Sequence, residues 1–86
     1  MQTAIDLITA ERKRQIDAEG WTPEHDDAHA DGALADAAAC YAMGRRTALW
    51  PWSTDWWKPS PDDRVRDLVK AGALIVAEIE RLQRDA

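Results

Sequence analysis

Eighty-six residues carry 11 lysines and arginines against 16 aspartates and glutamates, a net charge of −5. That balance argues against binding duplex nucleic acid or an anionic membrane surface, both of which need a basic face, and no apolar run approaches the ~20 residues of a membrane span. A chain this short buries only about 60–65% of its unfolded surface, and one cysteine, Cys40, allows no intrachain disulfide.

A partner subunit is therefore expected to supply missing core. No basic region followed by an apolar core opens the sequence, so a cytoplasmic location is expected. Five tryptophans and no phenylalanine are present, and Trp50, Trp52, Trp56 and Trp57 fall within eight residues. Alanine clusters between positions 33 and 42.

The first helix is predicted over 3–19. Thr3 caps it, and Asp6 stands three residues on as the reciprocal partner of a capping box. Ile5, Ile8, Arg12, Gln15, Ile16 and Glu19 share one stripe, apolar at its start and polar in its second half. Gly20 stops the helix and Pro23 prevents its resumption. Residues 20–31 read as a polar connection, with Asp26 or Asp27 capping a second helix over 28–43. Leu34, Ala37, Ala38 and Tyr41 form its buried face. Gly44 ends it, and Arg45 and Arg46 follow near its terminal carbonyls, where cations are favoured.

Residues 44–60 form a long connection. Its four tryptophans argue for an ordered loop folded over the helices, because disordered segments are poor in aromatics. The last helix starts with Ser60 as N-cap, Pro61 in the first helical position and Asp63 completing a capping box. Val65, Leu68, Val69, Gly72, Ile75, Val76, Ile79 and Leu82 make its apolar stripe, and Ala71, Leu74 and Ala77 widen it. Two buried faces are expected, one inside the subunit and one against a partner. The prediction is a single all-α domain over 1–86: three main helices, a Trp-rich loop between the second and third, and completion as a homo-oligomer, most simply a dimer with Leu74 a candidate for its interface.

Several groupings could carry chemistry. Glu24-His25-Asp26-Asp27-Ala28-His29 offers imidazole and carboxylate ligands for a metal; it reads equally as an acidic helix start favoured by the helix dipole. The polar half of the first helix, Glu11, Arg12, Gln15 and Glu19, lines an inter-helix pocket, closes into a salt-bridge network with no ligand, or forms a solvated face. In the pocket reading Arg12 and Gln15 bind ligand, with Trp56 and Trp57 above them. Packed without a ligand, those polar groups would cost about 1–3 kcal/mol each. Glu78 interrupts an apolar run and is expected to pair with Arg81.

Three segments carry a family resemblance: Glu11-Arg-Lys-Arg-Gln15, then Glu19-Gly20-Trp21, then Asp67-Leu-Val-Lys-Ala-Gly-Ala-Leu-Ile-Val-Ala-Glu-Ile-Glu-Arg-Leu82. Their layout resembles small proteins of phages and prophages, which in turn are similar to the MazG-like all-α nucleoside triphosphate pyrophosphohydrolases. The resemblance implies a helical oligomer that holds magnesium, or manganese, on helix-borne carboxylates and cleaves nucleotides between the α and β phosphates. Carried onto this sequence, it implies catalytic roles for Glu11, Glu19 and Asp67 and metal ligation by Asp31 and Asp36. The stretch 31–39 has alanines where that family carries glutamates, and Lys70 sets a cation beside Asp67. Two classes of function therefore stand: a metal-dependent nucleotide pyrophosphohydrolase or nucleotide binder, and a non-catalytic phage accessory protein that binds a host or defence protein.

Overall fold

Four helices in order, α1 (Ala4–Glu19), α2 (Pro23–Asp27), α3 (Ala33–Met43) and α4 (Arg64–Asp85), make up the chain, with one 3₁₀ turn over Thr54–Trp56. They are seen in a computed structural model that describes residues 1–85, and among these no strand occurs. No helix among the described residues is long and apolar enough to cross a membrane. The architecture is the all-α bundle that capping and periodicity imply.

The start of α1 forms as its sequence dictates. Thr3 Oγ1 accepts from the Asp6 backbone N–H at 3.1 Å, and the Asp6 carboxylate accepts from the Thr3 N–H at 3.0 Å. Its end is a left-handed glycine, Gly20 at φ 73°. The N–H groups of Gly20 and Trp21 both return to the Gln15 carbonyl, a doubled closure at the helix C-terminus. This closure turns the chain back sharply, and Trp21 is carried over the helix it follows.

Two boundaries differ from the sequence expectation. Residues 20–31 are not purely a connection, because Thr22 and Pro23 start α2: Thr22 Oγ1 accepts from the His25 N–H at 3.2 Å, and Pro23 fills the first turn. Asp26 and Asp27 thus lie inside a helix rather than capping the next one. Helix α3 begins only at Ala33, after Gly32 takes φ 88°, a backbone state that interrupts any helix from 28. At the other boundary, Ser60 does not cap α4. Its carbonyl accepts from Asp63 N–H in a turn, and Asp63 Oδ1 accepts from the Arg66 N–H at 3.0 Å, so Asp63 does the capping.

The core lies between α3 and α4. Leu34, Ala37, Ala38, Cys40 and Tyr41 meet Ala71, Leu74 and Ala77, with Trp50 closing one side. Small side chains on both helices let the backbones approach, so the inner face of α4 is its narrow one. Of the two apolar faces expected on that helix, this is the one packed inside the subunit. The large apolar stripe points outward, with Val65, Leu68, Ile75, Ile79 and Leu82 each 46–61% exposed. Leu74, a candidate for a subunit interface, is 1% exposed and belongs to the subunit's own core. Helix α1 packs beside α4, with Ile8 seated directly on Gly72, where a Cβ would stand 2.7 Å from Ile8 Cδ1.

The tryptophan loop is ordered as expected. Trp50 packs edge-on against Tyr41, Trp52 and Trp57, and its indole N–H donates to the Ser53 carbonyl at 3.1 Å. Tyr41 OH accepts from the Lys58 N–H at 3.2 Å, which pins the loop's far end to α3. Arg64 donates to the carbonyls of Tyr41 and Ala42, covering the C-terminus of α3 where a cation is favoured.

Candidate ligand cleft

The polar half of α1 faces inward, as its position on the buried stripe implies. Glu11 and Gln15 are 2% and 1% exposed. They floor a cleft of about 160 Å³ walled by Arg14, Glu19, Trp21, Tyr41, Trp56, Lys58, Arg66 and Lys70. Four of these side chains are cationic and two, Glu11 and Glu19, are anionic, so the lining carries a net positive charge within an acidic chain.

Glu11 is held from two sides. Arg14 donates to both of its oxygens at 2.8 Å, and Arg66, from α4, donates to Oε1 at 2.6 Å. Burial pushes the Glu11 carboxyl up, but the two guanidinium groups outweigh it, and its pKa lies below the ordinary carboxylate value. Gln15 donates to Glu11 Oε2 at 3.3 Å, and its own Oε1 is buried with no hydrogen-bond partner. An amide oxygen in that state costs about 1–3 kcal/mol unless something donates to it. Among the described residues one other buried side-chain polar atom lacks a hydrogen bond, Arg12 Nε, but it stands 3.5 Å from the Glu80 carboxylate.

Lys70 reaches the cleft from α4. Its ammonium donates to the Lys58 carbonyl at 2.6 Å and stands 5.5 Å from the centre of the Tyr41 ring. Burial, then the nearby Arg66 charge, pull its pKa below the usual lysine value. A lysine so placed gains from an arriving anion.

A second cleft of about 360 Å³ adjoins the first and shares Glu19, Trp21 and Trp56 with it. His25, His29, Trp52 and Ser53 complete its wall. Trp21 stacks on His25 at 6.2 Å and 10°, and His29 meets His25 at 4.6 Å and Trp52 at 5.5 Å. The two histidines are thus brought together by α2 and the turn that follows it. Ligand pockets run to about 300–1,000 Å³; the aromatic cleft alone can take a ring, and the smaller cationic one a phosphate-sized group.

The sequence-derived candidates divide. Glu11, Gln15, Glu19 and Trp56 line the clefts. Arg12 does not. It is buried against Asp26, donating at 2.6 Å to Oδ2 and at 3.1 Å to the Trp21 carbonyl, and so ties α1 to α2. Trp57 packs on the Tyr41 ring at 4.7 Å and belongs to the core's roof. Asp67 is buried and accepts from the Ser60 N–H at 2.9 Å, holding the turn before α4. Asp31 accepts from the Ala33 N–H at the start of α3, and neither Asp31 nor Asp36 lines either cleft. Glu78 pairs with Arg81 at 2.6 Å, as expected.

Magnesium asks for several oxygens converging in near-octahedral order. Glu11 has both oxygens taken by arginines, Asp67 is tied to backbone, and Glu19 accepts from Arg14 at 3.1 Å. Among the described residues no three His, Cys, Asp or Glu side chains group as metal ligands would. The donor set as folded does not fit the ion. The residues that the sequence reading left out are Lys58 and Arg66; Arg14 was part of the polar set on α1 without a role of its own. Lys70 was visible as a cation beside Asp67, but nothing local in the sequence signals that the four converge. Comparison with protein-family models, curated proteins and solved structures finds no match for this chain.

Proposed function

We propose that this chain binds a small anionic ligand with a planar aromatic part, of which a nucleotide is the leading example. The observation that carries the reading is Gln15: a buried side-chain oxygen without a donor, at the floor of a cleft whose rim holds four cations. A base N–H or a ligand hydroxyl would satisfy it. Arg14, Arg66, Lys58 and Lys70 would surround the anion, and Trp21 and Trp56 would flank the ring, with stacking on one aromatic worth about 1–3 kcal/mol per base.

Binding is favoured over hydrolysis. Metal-dependent cleavage of the pyrophosphohydrolase type would draw on Glu11, Glu19 and Asp67, and each of these already serves an arginine or a backbone N–H. Isothermal calorimetry tests the proposal with nucleoside mono-, di- and triphosphates, first in EDTA and then in magnesium. Saturable heat in EDTA, weakened at least tenfold by Lys70→Met, is expected. Absence of heat in both buffers would end it; heat only with magnesium, accompanied by pyrophosphate release, would return the hydrolase reading.

A further inference from the structure

Glu19, Trp21 and Trp56 are common to the walls of both clefts. With a nucleotide bound as proposed above, on which this assignment rests, the ring takes the aromatic cleft and the phosphate sits among the cations of the other. The pentose that joins them then lies along the shared wall. Glu19 is the one charged side chain there. Arg14 donates to its Oε1 at 3.1 Å, and Oε2 is left for a ligand. Gln15 stands one helical turn before Glu19, and side chains four apart on a helix are neighbours, with Cβ atoms about 5–6 Å apart.

Gln15 can act toward the cleft only as an acceptor. Its Nε2 donates to Glu11 Oε2 at 3.3 Å, and Glu11, a carboxylate clasped by Arg14 and Arg66, has nothing to donate. Turning the amide over would set two oxygens against each other, so Oε1 stays the atom without a partner. Position decides which part of a nucleotide can give it a proton. Gln15 lines the cationic cleft and not the aromatic one, so a base seated in the aromatic cleft lies away from it. A phosphate monoester, with a second pKa of about 6, is a dianion at pH 8 and carries no proton to give. A sugar hydroxyl is the donor that remains.

We propose that Gln15 Oε1 and Glu19 Oε2 together accept from the cis 2′- and 3′-hydroxyls of a ribose, so that the site takes a ribonucleotide and disfavours its 2′-deoxy counterpart. Two adjacent acceptors on one helix face match two adjacent donors, and 2′-deoxyribose has only one of them. The bond to Glu19 is the stronger of the two, since an ionised acceptor strengthens a hydrogen bond. Dinucleotide-binding folds use a carboxylate on a ribose hydroxyl in the same way.

Calorimetry in EDTA at pH 8 tests this with the four common ribonucleoside 5′-monophosphates and their 2′-deoxy and arabino counterparts. Arabinose keeps the 2′-hydroxyl but turns it to the other face of the sugar, which breaks the cis pair. The ribo ligands that bind should do so at least about tenfold more tightly than either counterpart, the worth of a hydrogen bond to a charged group. Because Glu19→Ala also frees Arg14, the ribo-to-deoxy ratio rather than the affinity is read in that variant, and it should fall to about threefold or less. Equal binding of ribo and deoxy ligands overturns the ribose assignment while the wider reading of an anionic aromatic ligand stands. Absence of binding by every monophosphate overturns both. A ribo preference that Glu19→Ala leaves at full size overturns the part given to Glu19. Should Glu19→Ala not fold, the ranking of the three sugars by the native chain still decides.

Discussion

Replacing Arg12 by methionine removes the cation from a buried pair and leaves Asp26, which is 0% exposed, as a charge without its main partner. Two further contacts go with it, the 3.1 Å hydrogen bond to the Trp21 carbonyl and the 3.5 Å ion pair to Glu80. Breaking a buried pair from one side costs about 3–5 kcal/mol. A domain of this length holds only about 4–13 kcal/mol in total, so the loss is a large share of it. One kcal/mol moves Tm by about 4–8 °C in a domain of this size, and a fall of at least 12 °C is expected. The neighbour that stays is His25, whose Nδ1 lies 3.3 Å from Asp26 Oδ1. Urea unfolding followed by tryptophan fluorescence, which Trp21 makes sensitive to the α1–α2 junction, gives the number. The double variant Arg12→Met, Asp26→Leu should recover most of the loss, since removing both charges is often neutral. A cost under 1 kcal/mol for the single variant, or no recovery in the double, would refute the assignment of Arg12 to structure.

Glu11→Gln should cost about 1–3 kcal/mol at pH 7, because Arg14 and Arg66 lose their shared acceptor, as measured by urea unfolding. The native Glu11 pKa lies below its unfolded value, so its contribution is present above about pH 4.5 and fades as pH falls through the native value; the variant should lack that part of the acid slope. Lys70 has a lowered pKa and an anion stabilises its protonated form, so ligand affinity should fall as pH rises through a range beginning below 10.5, the ordinary lysine value, and Lys70→Met should flatten that profile. Trp50→Phe removes the indole donor to the Ser53 carbonyl and should cost about 1–2 kcal/mol, with the greatest gain in amide exchange across residues 47–58.

Much of the fold is legible in the residues because its signals are local. Thr3 and Asp6 sit at the spacing of a capping box, Gly20 and Gly44 stop helices at φ 73° and 75°, and the 50–57 tryptophans forecast an ordered loop. Helix α2 escapes because five residues are too few to show a period, and Thr22-Pro23 is its one signal. Which face of α4 turns inward is hidden for a different reason. Periodicity locates two apolar faces without ranking them, and the alanine-rich α3 selects the face on which Leu74 is flanked by the small Ala71 and Ala77, by close approach. At the cleft, Glu11 and Gln15 are legible as the extension of a buried stripe. Arg12 lies on that same stripe, yet it turns toward Asp26, a residue fourteen positions away whose burial depends on α2. The convergence of the cationic rim is not legible: Arg14, Lys58, Arg66 and Lys70 come from α1, the loop and α4, and only the tertiary packing sets them around one space.

The central claim is that Gln15 and the aromatic walls meet a ligand, and nuclear magnetic resonance on nitrogen-labelled protein tests it most directly. Titration with a nucleoside monophosphate in EDTA should shift the Gln15 side-chain amide and the Trp21 and Trp56 indole N–H signals along one saturating curve. The Trp50 indole, bonded to the Ser53 carbonyl inside the roof of the core, should stay in place. No saturable change at Gln15, or equal small changes at every indole, would contradict the account.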